Sequence, residues 1–365
     1  MKRREFLQGL LALGAFSALP TPALAERRAP RRLVMIHLFG GNDGLNTVLP
    51  WTDPAYRRAR PTLAQSGVLP LQSGLGLHEA LRPLLPLYQR GKMAIVQGVG
   101  YPEPNRSHFI SADIWQSAGM STDDGWLGRL AASRGWNSVQ VDDRSLCRAL
   151  WQPSGSGRVP LCLRSDQPAV APRPEWMESV LDGLYHSCEQ RHLAANYKNL
   201  KNCQGQHWEG PPLQASLRAM LDLWPQGRLF HTSLGGFDNH SDQLNKQAKA
   251  LGELATALAG FYQELQRRGW EKDTLICVYS EFGRRVEENA SGGTDHGGAA
   301  PCFLLGGGVK GGLYGEHPSL TRLVDGDLAM QYDFRQLYAS ILEDWLDADA
   351  RQVLGREFGK ISCWA

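Results

Sequence analysis

Apolar runs that stop at glycine-rich polar lips recur along this chain, and that recurrence restricts its fold more than any other feature. Leu33 to Phe39 ends at Gly40-Gly41-Asn42-Asp43-Gly44, and Arg228 to Thr232 leads to Gly235-Gly236-Phe237-Asp238-Asn239-His240. Leu275 to Tyr279 breaks into Ser280-Glu281-Phe282-Gly283-Arg284-Arg285, and Met93 to Val99 opens into a loop carrying Asn105-Arg106-Ser107-His108-Phe109. A further run, Pro301 to Leu305, is instead preceded by Gly292-Gly293-Thr294-Asp295-His296-Gly297. Short continuous apolar runs read as strands buried on both faces. Helical spacing fills the intervals: Leu77 to Tyr88, Ile110 to Ser117, Leu213 to Leu223, the long Gln243 to Arg268, and a capping Asp333 to Leu346. Strands alternating with helices imply an α/β fold with a mainly parallel sheet. In such sheets ligands bind beyond the carboxyl ends of the strands, where these polar clusters fall.

Composition sets the outer limits. A chain of 365 residues, 42% hydrophobic and 21% charged, is globular and holds one large or two ordinary domains. Its formal charge of +2, without a long basic run, argues against nucleic acid as a partner. The first 25 residues stand apart: a basic head with Arg3-Arg4-Glu5-Phe6-Leu7, an apolar stretch from Leu10 to Leu19, and Ala23-Leu24-Ala25 as a small-residue cleavage site. The paired arginines resemble a twin-arginine export signal, which names the twin-arginine machinery as a partner and the periplasm as the destination. An uncleaved N-terminal anchor is the alternative. No later apolar stretch is long enough to span a bilayer, so no stable membrane span is expected after cleavage.

The remainder, 26–365, reads as a single α/β domain. Its least regular part, Ala131 to Pro212, has mixed polarity, Pro and Gly clusters, and one helical stretch near Met177 to Asn196, and reads as an insertion or lid. His186, His192 and His207 fall there without metal-ligand spacing. Of seven cysteines, Cys277 and Cys302 lie inside strand candidates and read as buried thiols. Cys188 and Cys203 could oxidise outside the cytoplasm, although the odd total opposes a disulfide framework.

The strand ends supply Asp43, Asp238 with His240, Glu281, and Asp295 with His296. Carboxylates and imidazoles in such a set bind zinc, manganese or other divalent ions. A structural salt-bridge network is the competing reading, with Arg284 and Arg285 neutralising Glu281. Arg284 and Arg285 could also clamp an anionic substrate. Asn42-Asp43-Gly44 is also ordinary turn chemistry. Ser107, in a strand-to-helix connection, reads either as a helix N-cap or as a hydroxyl that a helix N-terminus and a metal help to ionise.

The motifs GGNDGLNT, NRSHF, GFDNH, YSEFGRR, GGTDHG and GGLYGE occur in that order. Together they resemble, over nearly the whole chain, the twin-arginine-exported family called domain of unknown function 1501. That family is more remotely similar to the alkaline phosphatase, sulfatase and phosphoglycerate mutase superfamily. The resemblance implies an alkaline-phosphatase-like three-layer sandwich with metals at the strand ends. It implies Asp43, Asp238, His240 and His296 as ligands and Ser107 as nucleophile. Two departures accompany it. The superfamily's Asp-His after the penultimate strand is here Glu281-Phe282, and phenylalanine cannot bind a metal; Asp238 and His240 are also unusually close in sequence.

The expectation is therefore an exported metal-dependent hydrolase of phosphate or sulfate esters. It would carry one or two divalent ions (zinc, manganese or calcium) on Asp43, Asp238, His240, Glu281, Asp295 and His296. Ser107 and Arg284 would be catalytic, acting on an anionic small molecule or polymer. A degenerate, non-catalytic envelope binding protein of the same fold is the expectation from the other class.

Overall fold

Alternation along the first strand, β1 (Arg32–Leu38), divides the interior in two: Leu33 and Met35 join one apolar core, and Val34, Ile36 and Leu38 join another. The computed structural model describes residues 30–142, 147–153, 156, 160–163 and 212–364. The other strands of the main sheet are β2 (Met93–Gly100), β3 (Ser138–Val141), β4 (Leu161–Leu163), β5 (Leu229–Leu234), β6 (Thr274–Tyr279), β7 (Ala300–Gly306), β8 (Gly312–Tyr314) and β9 (Tyr332–Asp333). They run in the order β8-β2-β7-β6-β1-β5-β3-β4, with β9 also pairing with β2. β1 lies parallel between β5 and β6, Leu33 facing Leu229 on one side and Leu275 on the other. Every residue of β2, β5, β6 and β7 is buried, as a sheet covered on both faces requires.

Helices supply both covers. Trp115 from α1 (His108–Ser117), Trp126 and Leu130 from α2 (Trp126–Arg134), and the later Phe334 and Tyr338 share the first core with Leu33 and Met35. Leu217 and Met220 from α3 (Leu213–Asp222) and Leu251, Leu254, Leu258 and Phe261 from α4 (Gln243–Arg267) share the second core with Val34 and Ile36. The α4 residues recur at helical intervals, so one face of the helix is apolar over its whole length. The result is a mixed α/β fold, a largely parallel sheet between two helical layers. No helix among the described residues is long and apolar enough to cross a membrane.

Two expectations change. β7 is antiparallel to both of its neighbours, β2 and β6. An apolar run carries no direction, so periodicity could not show this, and the consequence for the site is large: the loop before β7 emerges at the same edge as the loops after β1, β5 and β6. The run Leu77 to Tyr88 is not one helix. Gly76–His78 pairs as a strand, Glu79–Leu84 winds as a 3-10 helix containing Pro83, and only Leu85–Gln89 is α-helical. A proline inside the turn removes a backbone donor and clashes with the preceding turn, which breaks the helix. His78 accepts from the Ala80 N–H at 3.0 Å and so caps this segment. The closing segment is an α-helix, α5 (Phe334–Ser340), continued by a π-helical turn, Ile341–Trp345. Cys277 and Cys302 are buried thiols, pushed up by burial. The N-terminal 25 residues, Cys188, Cys203, the three histidines from His186 to His207 and the stretch from Met177 to Asn196 lie outside the described residues.

Leu254 is fully inside the second core. Leu254→Ala removes apolar contacts and leaves a cavity, and urea unfolding should show a loss of about 2–5 kcal/mol.

Candidate metal centre

Backbone geometry brings five segments to one edge of the sheet. After β1, Gly40 adopts φ +119°, and a Cβ there would lie 2.4 Å from the Asp238 nitrogen, so the turn requires glycine. That turn points the Gly40 N–H at Glu281 Oε1, 2.8 Å away, just past the end of β6. Asp238 and His240 follow β5, and Ser107 heads α1 with His108 as its first residue. Asp295 and His296 arrive from the loop before β7, at this edge only because β7 runs antiparallel.

His108, Asp238 and His296 present ligand atoms that all lie within 4.8 Å of one another. Asp238 sits at the centre. His108 Nε2 is 3.4 Å from its Oδ2, and His240 Nε2 and His296 Nε2 are 3.0 and 3.2 Å from its Oδ1. The opposite nitrogen of each ring is engaged. His108 Nδ1 bonds to Glu281 Oε1 at 2.7 Å, His296 Nδ1 to the Arg106 carbonyl at 2.7 Å, and His240 Nδ1 to Asp295 Oδ1 at 3.3 Å. Carbonyls and carboxylates only accept, so each Nδ1 carries a proton, and a ring that has no second proton turns its Nε2 lone pair inward. His240 Nε2 and His296 Nε2 are 3.0 Å apart. Two bare lone pairs at that distance repel unless a proton or a cation lies between them.

That pattern fits a metal. Histidine ligands normally donate their outer N–H to a carboxylate or a backbone carbonyl, which fixes tautomer and ring orientation. His108 Nε2 is buried and faces the cluster, with only the long 3.4 Å contact to Asp238 Oδ2. Tetrahedral zinc with bonds of about 2.0–2.1 Å needs ligand-to-ligand edges of about 3.3–3.4 Å, and the contacts of the three rings with Asp238 measure 3.0–3.4 Å. Three imidazoles and one carboxylate suit zinc better than calcium, which prefers an all-oxygen shell.

The charges follow from the contacts. Burial works against ionising Asp238, yet hydrogen bonds from His108, His296 and Arg284 hold its carboxyl well below the usual range. Glu281 is fully buried, and His108 and His37 overcome that burial to keep it ionised. Burial disfavours the His108 cation, but the Asp238 and Glu281 carboxylates prevail and push His108 up to about 9. His240 is lowered by burial and by Arg284. Asp295 is lowered chiefly by the Asn289 amide.

The structure sorts the expected residues by position. Asp238, His240 and His296 converge, whereas Glu281 and Asp295 stand behind them, each bonded to the back of a histidine. Asp43 is turned away into an ion pair with Arg60, accepts from Gln243, and caps the short turn at Gly44. The side chains bonded to Glu281 are His37 and His108, not the arginines. Arg284 is fully buried, and its donors are consumed by the carbonyls of Gly40, Gly41, Phe237 and Thr294 and by Asp238 Oδ1. In this arrangement the guanidinium ties three segments together. Ser107 occupies the N-cap position of α1, but its side chain makes no capping bond. Phe282 is buried with its ring centroid 4.9 Å from those of both His108 and His296, an apolar backing where the wider pattern places a ligand.

Two residues were not singled out from the sequence. His108 adjoins Ser107 and begins a helix, and its position after a strand was the available signal. His37 lies inside the apolar run of β1, where a lone imidazole usually reads as core.

Residues 189–360 match the family described as protein of unknown function, DUF1501. That stretch is similar to the family. It contains Asp238, His240, Glu281 and His296, while His37, Ser107 and His108 precede it. No curated protein matches the chain. Among solved structures, the C-terminal periplasmic domain of EcEptC from Escherichia coli is similar at TM-score 0.46 and 11% identity, over 90% of this chain and 86% of that one. The lipoteichoic acid synthase LtaP from Listeria monocytogenes is similar at TM-score 0.44 and 10% identity, over 82% and 74%. An alkaline phosphatase superfamily protein from Vibrio parahaemolyticus is similar at TM-score 0.40 and 9% identity, over 80% and 63%.

A metal and a proton compete for His108 Nε2. With His108 at about 9 in the metal-free protein, zinc affinity should rise about tenfold per pH unit from pH 6.5 to 8.5 and level off near 9. Metal-free protein should show the opposite trend: the stability from His108 is fully present below about 6.5 and is lost as pH rises through 9. Chelator competition and thermal melts across that range measure the two.

Proposed function

We propose that this chain is an exported, single-metal hydrolase of phosphate or sulfate esters, with His108, Asp238 and His296 holding a divalent ion, zinc by donor chemistry, and His240 as a fourth donor. The convergence of the imidazole Nε2 atoms on Asp238, each with its Nδ1 already engaged, carries this reading. A bound divalent ion would supply a Lewis acid for an ester oxygen and offset developing negative charge.

The chain's own groups divide the remaining work. Ser107, at the N-cap position beside His108 and without a capping bond, is the candidate nucleophile. The first backbone N–H groups of α1 favour an anion at that end of the helix. Asp295 and Glu281 orient His240 and His108 from behind. One ion is proposed because the other carboxylates already have partners: Asp43 is matched by Arg60, and Glu281 by His37, His108 and the Gly40 N–H. Export rests on the N-terminal signal, with Arg3-Arg4 and Ala23-Leu24-Ala25.

Phe282 favours a second reading. An apolar ring backing two histidines suits a centre that binds without turning over, the non-catalytic envelope binding protein of the same fold.

Elemental analysis of protein from the periplasm should find one zinc per chain, and Asp238→Ala or His296→Ala should abolish it; protein without bound metal would sink the hydrolase. A screen of aryl phosphates, phosphodiesters and aryl sulfates should find a substrate, with Ser107→Ala lowering kcat by about 10²-fold or more. Turnover unchanged in Ser107→Ala would assign the attack to water. Full zinc with no turnover on any of these esters would support the binding protein.

A further inference from the structure

His37 is a buried imidazole inside the otherwise apolar run from Leu33 to Leu38, and the hydrolase reading uses it only as a partner of Glu281. Burying it without a purpose is costly, because a polar ring in an apolar strand must be matched by hydrogen bonds. Among the described residues its side chain's one hydrogen bond is to a carboxylate that touches the candidate metal centre: His37 Nε2 lies 2.9 Å from Glu281 Oε2, while the other oxygen, Oε1, holds His108 Nδ1 at 2.7 Å. The His37 ring has little freedom to leave. Tyr279 stacks on it at 4.8 Å with the planes 5° apart, and Phe39 meets it edge-on at 5.6 Å.

Glu281 depends on that contact. It is fully buried, and its Oε1 has two donors, the Gly40 N–H and His108. At Oε2 the neighbours are His37 and the Ser280 hydroxyl, but the hydroxyl donates to the Leu38 carbonyl at 2.7 Å and stands 3.2 Å from Oε2. His37 is therefore the principal donor to that oxygen. Without it, one side of a buried carboxylate lacks a partner, and the carboxylate must turn away from its present plane. His108 would lose its orientation with it, since Glu281 is the only group engaging His108 Nδ1 among the described residues. The same residue also anchors α1 by its main chain, where Ser111 Oγ donates to the Glu281 carbonyl at 2.6 Å, so the helix would stay while the His108 ring turned.

We propose that His37 is a positioning residue of the metal centre, fixing Glu281 and through it the His108 ring. The inference rests on the metal reading above. Its hydrogen bond is the functional part of the side chain, and ring packing is secondary.

The test is zinc affinity, measured on the full mature chain by competition with a chromophoric chelator, beside the melting temperature of the metal-free protein. His37→Leu should weaken zinc binding by about 10–100-fold, the range typical when an outer partner of a ligand is lost. His37→Gln, whose amide N–H can reach Oε2, should recover most of that loss. Should the leucine variant not fold, His37→Asn, one methylene too short to reach Oε2, carries the same expectation as leucine. Zinc binding unchanged in the leucine or asparagine variant overturns the proposal, even where the melting temperature falls. An equal loss in the glutamine variant also overturns it, because the hydrogen bond would then not be the cause. Wild-type protein that takes up no zinc is a different failure: it removes the metal centre itself, and this inference with it.

Discussion

A carboxylate closed off from water governs this edge of the sheet. Glu281 has no solvent exposure, and an ion taken out of water loses several kcal/mol of hydration unless donors replace it. Those donors come from different parts of the chain: His37 from β1, the Gly40 N–H from the turn after it, and His108 from the start of α1. Meeting the demand of one side chain thus fixes the end of a strand, a glycine turn and the first turn of a helix relative to one another. The inward face of His108, and with it the geometry around Asp238, is a by-product of that arrangement.

Two guanidinium groups complete the electrostatic division. Arg60 is buried against Asp43 and also donates to Asn46 and to the carbonyls of Arg285 and Val286. Arg284 spends its donors on carbonyls from the loops after β1 and β5 and from the loop before β7, and it reaches Asp238 with the remainder. Rigid planar donors of this kind suit buried carbonyl and carboxylate acceptors. Positive charge is therefore built into the protein beside Asp43 and beside Asp238. One carboxylate, Asp43, is wholly matched by it, and another, Asp238, is only partly matched and keeps an oxygen, Oδ2, facing His108. The two carboxylates therefore differ in how far their charge is already matched.

Much of this was legible in the residues. The alternating α/β plan, the long α4 and the positions of β1, β5 and β6 follow from apolar periodicity, and their bounds moved by a residue or two. Asp238, His240 and His296 stood out because an acid or imidazole after a glycine pair at the edge of a strand has few structural reasons to be there. The role of Arg284 was not legible, since a guanidinium that serves backbone carbonyls and one that serves a substrate leave the same letter in the sequence. Asp43 was misleading for a related reason: its partner, Arg60, lies beyond a turn and a short helix, with nothing in the intervening residues to announce the pairing. His37 and His108 were hidden by their surroundings, one by an apolar strand and the other by a helical pattern.

The reversed direction of β7 has a further meaning. Residues 280–299 leave the sheet from the end of β6 and return to it at the start of β7, so both feet of this segment stand on the same rim as the histidines. The middle of this segment, between Val286 and Thr294, can be lengthened or shortened without rerouting the chain across the opposite rim. Diversification of what the centre meets could be concentrated in this one excursion, while the sheet, its two helical layers and the buried Glu281 support stay as they are.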